Sequence, residues 1–191
     1  MDDPLIRYLQ NYHPIHADDR RLILDAFEQK TFYEGDYLFR SGHVCRHRFF
    51  ICDGVLRIMA TGDKGVEVTH YFLKTLQFCT ILQSFNDGTI AHTSIRAACD
   101  TTVRSIGKDS LLTLYQKIPW LEHAIDEITR QALLQKIELT NRFHGMDSTS
   151  RYRLFLELQP EIACRVSLTD IASYLDITPQ SLSRIRRNIR Q

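Results

Sequence analysis

The sequence contains no long apolar run and no closely spaced pair of cysteines. A helix needs roughly 20 apolar residues to cross a bilayer, and no run in this chain approaches that length. The acidic N-terminus, MDDPLIRYLQ, lacks the basic-then-apolar pattern of a signal peptide. An odd number of dispersed cysteines favours a reducing compartment over a disulfide framework. We therefore expect a cytoplasmic protein without a membrane partner. The cysteines are Cys45, Cys52, Cys79, Cys99 and Cys164.

Signals for catalysis are also absent. No Ser/His/Asp set, phosphate-binding glycine loop or paired acid stands out, so we expect neither an enzyme nor a cofactor. The segment SGHVCRH places His43, Cys45 and His47 at alternate positions, where they would share one face of a strand and could ligate a metal. A metal-dependent β-barrel enzyme could add Glu67 and His70 as ligands. Such enzymes have a glutamate soon after His-x-His, whereas none follows His47 before Glu67. A solvated strand and turn is the favoured interpretation.

Acidic residues are lacking at the C-terminal end. The formal net charge of the whole chain is only +1, but no acid follows Asp176. Arg184, Arg186, Arg187 and Arg190 lie in this acid-free segment. A local cluster of one sign tells more about a partner than the total charge does, and this one indicates an anionic partner.

The hydrophobic pattern divides the chain into a helical start, a β-rich middle and a helical end. Residues 3–30 have helical spacing, with a cap expected at Asp18. From Thr31 to about Gly107, short β-rich runs are broken by turn residues, and Lys108 begins another helical region. GVLRIMATGDKGVEVTHYFL predicts a β-hairpin, because two runs rich in β-branched and aromatic residues flank TGDKG. Strands this short and frequent predict a small antiparallel barrel or roll.

A long helical pattern without glycine or internal proline covers about residues 119–143. Its apolar positions recur at alternating spacings of four and three, a heptad seam that favours pairing with a second copy of the chain. The alternative is a helix packed only on its own domain, and Leu133, Leu134 and Ile137 widen the apolar surface for such packing. Gly145 fits a C-terminal cap. The predicted dimer interface is Leu121, Ile125, Ile128, Ala132, Gln135 and Leu139.

The C-terminal segment predicts a helix-turn-helix after a first helix that begins near Asp147. Ser167 and Asp170 have capping-box spacing and open a short helix. A turn follows in which Asp176 takes the position usually given to glycine, since aspartate tolerates a left-handed backbone. Thr178 and the next residue, a proline at the first helical position, open a second helix. The expected buried positions are Ile171, Ala172, Leu175, Leu182 and Ile185.

The outer face of the second helix carries side chains suited to DNA. Arginine can bond guanine bidentately and glutamine can do the same for adenine, while hydroxyls and further arginines suit phosphates. The alternative is a solvated basic helix, but capping, turn, apolar spacing and one-signed charge together favour DNA binding. The predicted DNA-binding residues are Thr178, Pro179, Gln180, Ser181, Ser183, Arg184, Arg187 and Asn188.

These segments together resemble the CRP/FNR family of bacterial transcription regulators over essentially the full length. FFICDGVLR contains the family pattern F-x-I-x-x-G-x-x-R, and GVLRIMATGDKGVEVTHYF looks like the hairpin of its β-roll. The end, RYRLFLELQPEIACRVSLTDIASYLDITPQSLSRIRRNI, looks like the Bacteroidetes-type members. The resemblance implies an α+β protein: a cyclic-nucleotide-binding-like jelly roll (double-stranded β-helix) over 1–118, a dimerisation helix over 119–144 and an all-α helix-turn-helix domain over 145–191.

The resemblance also assigns roles at the DNA. Pro179, Gln180 and Arg184 match the usual base-contacting places, and Pro179 cannot donate a side-chain hydrogen bond, so specificity there must come from neighbours or from DNA shape. Family members usually continue into a small β-wing that touches the DNA backbone, whereas this sequence stops at Gln191. We therefore expect weaker phosphate anchoring than in the family.

The ligand pocket that the resemblance implies is degenerate. Cyclic-nucleotide binders carry a Gly-Glu pair for the ribose and, about ten residues on, an Arg-Ser or Arg-Thr pair for the phosphate. Thr80 and Ile81 stand at the first place and Ala91 and His92 near the second, while Arg96 lies further along the next strand. We expect no response to cyclic AMP. Iron–sulfur sensing finds no support either, because the family's iron–sulfur members use N-terminal cysteines.

The function expected from the sequence is that of a homodimeric transcription regulator that binds a pseudo-palindromic operator in double-stranded DNA. An activator would also contact RNA polymerase, and no residue pattern identifies that surface. The effector is unknown. The alternative is a ligand-sensing or partner-binding β-roll protein with a degenerate DNA-binding motif.

Overall fold

The computed structural model describes residues 3–62 and 65–189. Asp63 and Lys64 of the predicted hairpin turn, and Arg190 of the predicted basic end, lie outside these residues. The strands are β1 (Glu28–Phe32), β2 (Tyr37–Phe39), β3 (His47–Asp53), β4 (Val55–Thr61), β5 (Glu67–Lys74), β6 (Phe78–Cys79), β7 (Ser94–Ala97) and β8 (Thr101–Gly107).

The strands form two four-stranded antiparallel sheets, with the orders β1-β8-β3-β6 and β2-β7-β4-β5. The predicted hairpin is confirmed, because β4 and β5 pair from Val55 opposite Lys74 to Thr61 opposite Glu67. Alternate residues of a strand point to opposite faces, and one apolar set from each sheet meets its counterpart inside the roll. This inner core includes Phe49, Ile51, Leu56, Leu73, Ile95 and Val103.

Helices precede, interrupt and follow the roll. No helix within the described ranges is long and apolar enough to span a bilayer. The helices are α1 (Pro4–Leu9), α2 (Ala17–Ala26), α3 (Leu82–Asp87), α4 (Lys108–Lys117), α5 (Pro119–Phe143), α6 (Ser148–Leu158), α7 (Pro160–Arg165), α8 (Leu168–Tyr174) and α9 (Pro179–Ile189).

The outer faces of the two sheets are covered by different helices. Phe50 and Ile106 of the first sheet share a core with apolar residues of α1, α2, α4 and the first half of α5. Val55 and Phe72 of the second sheet share another core with residues of α6 to α9. The roll therefore lies between one helical layer formed by α1, α2, α4 and the first half of α5 and another formed by α6 to α9, and each layer gains stability by burying apolar surface.

Two predicted helix ends are confirmed and one is wrong. Asp147 caps α6 by accepting from the backbone N–H of Thr149, and Gly145 has a φ of +74° just after α5, as a left-handed cap requires. The cap expected at Asp18 is wrong, because α2 begins at Ala17 after His16. Asp18 instead lies in the first turn, where a carboxylate favours the positive end of the helix dipole.

Candidate nucleic-acid interface

Helices α8 and α9 are held by the capping interactions that the sequence predicts. Ser167 Oγ accepts from the N–H of Asp170 at 3.2 Å, and Thr178 Oγ1 accepts from the N–H of Ser181 at 3.1 Å. Between them, Asp176 has a φ of +54°. A side chain that satisfies free N–H groups at a helix start fixes where the helix begins. The start and direction of α9 are thus set locally.

Ala172 lies where α8 meets α9 and is fully buried. Its carbonyl accepts from the N–H of Ile177 at 3.0 Å, which closes the turn. Leu182 of α9 is also fully buried, and Ile185 packs against the same core. A methyl side chain at position 172 lets the helices approach closely, so the expected packing is confirmed.

The outer face of α9 is open to solvent and carries no acid among its described residues. Of the predicted DNA-binding set, Ser181 is the exception: it is half-buried, and its hydroxyl lies 3.0 Å from Thr178 Oγ1, within the cap. Within the described chain, Arg184 and Arg187 form no ion pair. The exposed members of the set are Thr178, Pro179, Gln180, Ser183, Arg184, Arg187 and Asn188.

The seam expected along α5 faces its own chain over its first half. Leu121 and Ile125 are fully buried, and Ile128 is 4% exposed, all in the core formed with α1, α2 and α4. They cannot form a dimer interface, because they already have partners within the chain. Ala132 and Gln135 line a cavity against the roll. The assignment of Leu121, Ile125 and Ile128 to the dimer interface is therefore wrong, whereas that of Ala132, Gln135 and Leu139 stays a prediction.

The opposite face of α5 is the one left uncovered. Leu133, Leu134 and Ile137 are 43%, 54% and 57% exposed. The alternative interpretation of the sequence gave these three residues the role of packing on the domain, but all three are largely exposed. Leu133 and Leu134 are consecutive and Ile137 lies one helical turn further on, so the three form one exposed apolar patch, and such a patch is typical of an interaction surface.

The degenerate ligand pocket is only partly assembled from the predicted residues. Thr80 and Ile81 line a cavity of about 360 Å³ between the roll and α5. Ala91 and His92 do not line it. Ala91 is buried, with its N–H donating to the carbonyl of His43 at 2.9 Å, and His92 is exposed. The prediction that Ala91 and His92 line the pocket is therefore wrong, because both lie outside the cavity in the loop before β7.

Arg96, the one arginine of the expected ligand window, is already paired. Its Nη1 donates to both carboxylate oxygens of Glu67, at 2.9 and 3.0 Å, and its Nε donates to the carbonyl of Gly35 at 2.7 Å. These bonds lie on the outer face of the second sheet, away from the cavity. Arg96 is thus not placed to bind a cyclic phosphate.

A polar bridge between the roll and the C-terminal helices was not predicted. Arg57 of β4 is 4% exposed and donates to Thr69, to Glu67 and to Asp170 of α8. Beside it, Ser173 Oγ accepts from the N–H of Thr69 at 2.9 Å. Two signals were available: Arg57 ends the family pattern F-x-I-x-x-G-x-x-R, and it lies inside an apolar strand, where an arginine needs buried partners.

The histidine and cysteine pattern forms no metal site in the part of the chain that the structure describes. His43 and His47 are exposed, whereas Cys45 is buried with its Sγ 3.6 Å from Thr80 Oγ1. Only His47 belongs to β3, so the three residues do not share a strand face.

Comparison with known proteins shows a match to one domain family and a fold shared with solved structures. Residues 29–118 match the cyclic nucleotide-binding domain family. No curated protein matches the chain in sequence. The fold is similar to the c-di-GMP-responsive global regulator CLP of Xanthomonas campestris, with 17% identity, 92% of each chain covered and a TM-score of 0.70. The fold is also similar to that of a CRP/FNR-family transcriptional regulator from Thermus thermophilus, with 14% identity, 85% of each chain covered and a TM-score of 0.66.

The catabolite activator protein of Thermus thermophilus is also similar, at 18% identity and a TM-score of 0.56, covering 95% of this chain and 86% of that one. The structural similarity extends beyond the roll, because an alignment that covers 95% of this chain must also include α5 and most of the C-terminal helices. These relatives are regulators rather than enzymes. Residues 29–118 are therefore a cyclic nucleotide-binding domain, and the chain has the fold of the CRP/FNR family of transcriptional regulators, as its sequence indicated.

Proposed function

We propose that this chain is a homodimeric, DNA-binding transcription regulator in which α8 and α9 form a helix-turn-helix. The observation that carries the proposal is the outer face of α9. The helix is capped by Thr178, and this face is open to solvent and free of acids among its described residues, with Gln180, Arg184 and Arg187 exposed. A helix of this kind fits the major groove of DNA, which is wide enough to admit it.

The side chains of α9 divide into two groups by chemistry. Arg184 and Gln180 suit base edges, because their paired donors or donor–acceptor sets match guanine and adenine. Arg187, Asn188 and Ser183 suit phosphates, which fix the register of the protein on the duplex without reading sequence. Thr178 and Pro179 lie at the start of α9, where backbone N–H groups also favour a phosphate.

Dimerisation is proposed through the apolar face of Leu133, Leu134 and Ile137 on α5. Two copies pairing along this face would bury apolar surface that a single chain leaves in water. A symmetric dimer presents two copies of α9, which would read half-sites about 34 Å apart. The operator is then pseudo-palindromic. An activator of this kind would also contact RNA polymerase.

The proposed organisation keeps residues 1–118 as the sensor, 119–144 as the dimerisation helix and 145–191 as the DNA-binding domain of a cytoplasmic protein. The sensor is proposed not to respond to cyclic AMP. The arginine nearest to the family's phosphate-binding place, Arg96, is bonded to Glu67 and Gly35 on the other side of the sheet. No acid among the described residues lines the cavity to accept from a ribose.

The experiment is a selection of bound sequences from random duplex DNA at two salt concentrations. The expected result is a palindromic consensus with half-sites one helical turn apart, and weaker recovery at high salt because condensed counterions are released on binding. Recovery without any consensus at either salt would contradict sequence-specific reading. A consensus without symmetry would contradict the dimer.

A further inference from the structure

The cavity between the roll and α5 has the size of a ligand site. Its volume of about 360 Å³ lies within the range of roughly 300–1,000 Å³ that small-molecule sites occupy. One wall comes from the inner face of the second sheet and the segment after β5, another comes from α5, and Tyr8 of α1 and Arg48 of β3 complete the lining. Most of the surface is apolar, contributed by Tyr8, Ile58, Tyr71, Leu73, Phe78 and Ile81.

The charged residues that line this cavity are all basic. Arg48 and Lys136 line it, together with His70, and none of its described lining residues is acidic. Lys136 lies with its Nζ 5.2 Å from the centre of the Tyr71 ring, so its charge rests on an aromatic wall of the cavity. The electrostatic character of the cavity is therefore positive within an apolar surface, which favours an anion.

Arg48 is a buried cation with unused hydrogen-bonding capacity. It is 5% exposed, and its Nη1 donates to Thr129 Oγ1 at 3.1 Å. Its Nε is buried and has no hydrogen-bond partner. Its Cζ lies 5.2 Å from the centre of the Phe85 ring, and the described part of the chain supplies no carboxylate in ion-pair contact with it. Burial lowers the pKa of Arg48, against the opposing influence of Tyr115 and Asp126.

Such an arrangement is costly unless a ligand completes it. A buried charge without a partner is strongly destabilising, and an N–H without an acceptor adds to the cost. Because arginine stays protonated, the cost of burying its charge cannot be removed by loss of a proton. A structural role alone, that of holding Thr129 of α5, would need one N–H of the five and would not require the charge.

We propose that this cavity binds an organic monocarboxylate with an apolar body, whose carboxylate pairs with the guanidinium of Arg48. Carboxylate oxygens match the planar donor set of arginine, and the aliphatic and aromatic walls accept the remainder of the ligand. Lys136 contributes a second positive charge at the α5 side of the cavity. Binding itself is independent of the proposed function; only the role of the ligand as an effector of DNA binding rests on it.

A cyclic nucleotide fits the same cavity less well. Its ribose hydroxyl and base edges bring several polar groups that need partners when they are buried. The described lining offers no carboxylate for the ribose hydroxyls, and its neutral polar side chains, which include Gln77, Thr129 and Gln131, do not supply one. A ligand with a single charged group and an apolar body leaves no such groups unsatisfied.

The test is isothermal titration calorimetry on the full chain with two acid and alcohol pairs: octanoate with octanol, and phenylbutyrate with phenylbutanol. Each pair differs in the head group and keeps the body. At least one carboxylate should bind with one ligand per chain and at least about tenfold more tightly than its alcohol, as a charge-assisted hydrogen bond provides. Absence of saturable binding by both acids, or equal binding of acid and alcohol, overturns the proposal. Cyclic AMP is titrated in parallel, and tighter binding of the nucleotide than of either acid overturns it as well.

Variants identify the anchoring residue. Arg48→Gln should weaken carboxylate binding by about tenfold or more while leaving the alcohol unchanged, and Arg48→Lys should retain part of the preference for the acid. The matched control is Arg46→Gln, which removes an exposed arginine two residues away that does not line the cavity. Unchanged binding by a folded Arg48→Gln protein would contradict the assignment. If that variant does not fold, the comparison of acid with alcohol in the unaltered chain decides.

No DNA is present in the calorimeter, so the ligand result and the operator selection fail independently. The operator selection is repeated with the carboxylate that binds, and if no operator is selected with or without it, the cavity stays assigned and the DNA-binding function is rejected. An operator selected without any carboxylate binding gives the reverse. When both succeed, octanoate or phenylbutyrate is added to the DNA-binding assay, and a shift in operator affinity would establish the ligand as an effector.

Discussion

Arg57 of β4 donates a hydrogen bond to Asp170 of α8, a residue 113 positions further along the chain. The same guanidinium bonds Glu67, which in turn bonds Arg96, so a continuous polar network runs across the outer face of the second sheet into α8. Arg57 is almost completely buried. The sequence predicts a role for Asp170 only in the capping box of α8. In the structure its carboxylate also joins the proposed DNA-binding helices to the roll.

The first prediction is that Arg57 and Asp170 are energetically coupled. A double-mutant cycle with Arg57→Met and Asp170→Asn, followed by urea unfolding, should give a coupling of about 0.5–3 kcal/mol, since the residues are in contact and shielded from water. The exposed pair of Arg165 with Asp53 is the control, and should give about 0.2–1 kcal/mol. Additive effects of the Arg57 and Asp170 substitutions would show that the bridge does not join the two units.

The second prediction distinguishes the two faces of α5. Ile137→Glu should convert a dimer into a monomer with little loss of fold stability, because Ile137 is 57% exposed in a single chain. Light scattering or sedimentation measures the mass. Ile128→Glu is the matched control on the buried face, and should cost on the order of 3–5 kcal/mol of unfolding free energy by burying an unpaired charge. A dimer that persists in the Ile137 variant would remove this face from the interface.

The third prediction concerns base reading by α9. Arg184→Ala should cost about 1–3 kcal/mol of operator binding and relax the preference at one base pair of each half-site. Arg187→Ala should weaken binding to all sequences more evenly and reduce the dependence on salt, as a lost phosphate contact does. Quantitative binding to the selected operator and to single-base variants separates the outcomes. Equal loss on all sequences for Arg184→Ala would move it to the phosphate-contacting group.

The fourth prediction tests the close approach of α8 and α9. Ala172→Leu inserts three carbon atoms at a fully buried position and should destabilise the fold by about 1–3 kcal/mol through overpacking. Operator affinity should fall as well, because α9 would be displaced from its capped position. Thr169→Leu, at an exposed position of the same helix, is the control. If the Ala172 variant were as stable as the wild type, the packing of α8 against α9 would have space for a larger side chain.

The fifth prediction is a pH dependence at the bridge from Asp53 to Arg165. The hydrogen bond from Arg165 holds the pKa of Asp53 below its ordinary value. A carboxyl whose folded pKa is lowered stabilises the fold above its unfolded pKa, and this stabilisation is lost as the pH falls through the folded value. Asp53→Asn should therefore reduce the loss of stability between neutral pH and about pH 3. The carboxylate is largely exposed, so salt should weaken the effect.

Local patterns in the sequence were enough wherever a few neighbouring residues decide the structure. Ser167, Thr178 and Asp176 act through bonds or backbone angles within three or four residues, and their caps and turn are where the sequence places them. The β4–β5 hairpin was predictable for the same reason. The outward face of α9 also follows from the sequence, because buried Leu182 sets the rotation of a short helix whose other residues are polar.

What only the tertiary structure decided depends on residues far apart in the chain. The apolar period of α5 shows that it has two apolar faces, but Ile128 and Ile137 look alike until the folded roll and α1 cover one of them. The hydrogen-bond partners of Arg57 also depend on long-range packing, as does the buried Nε–H of Arg48 that has no partner. The local sequence pattern thus determined the helices, the β4–β5 hairpin and the exposed face of α9, because the interactions that set them are local. Tertiary packing decided which face of α5 is exposed, the bridge and the charge in the cavity, because burial is set by distant neighbours.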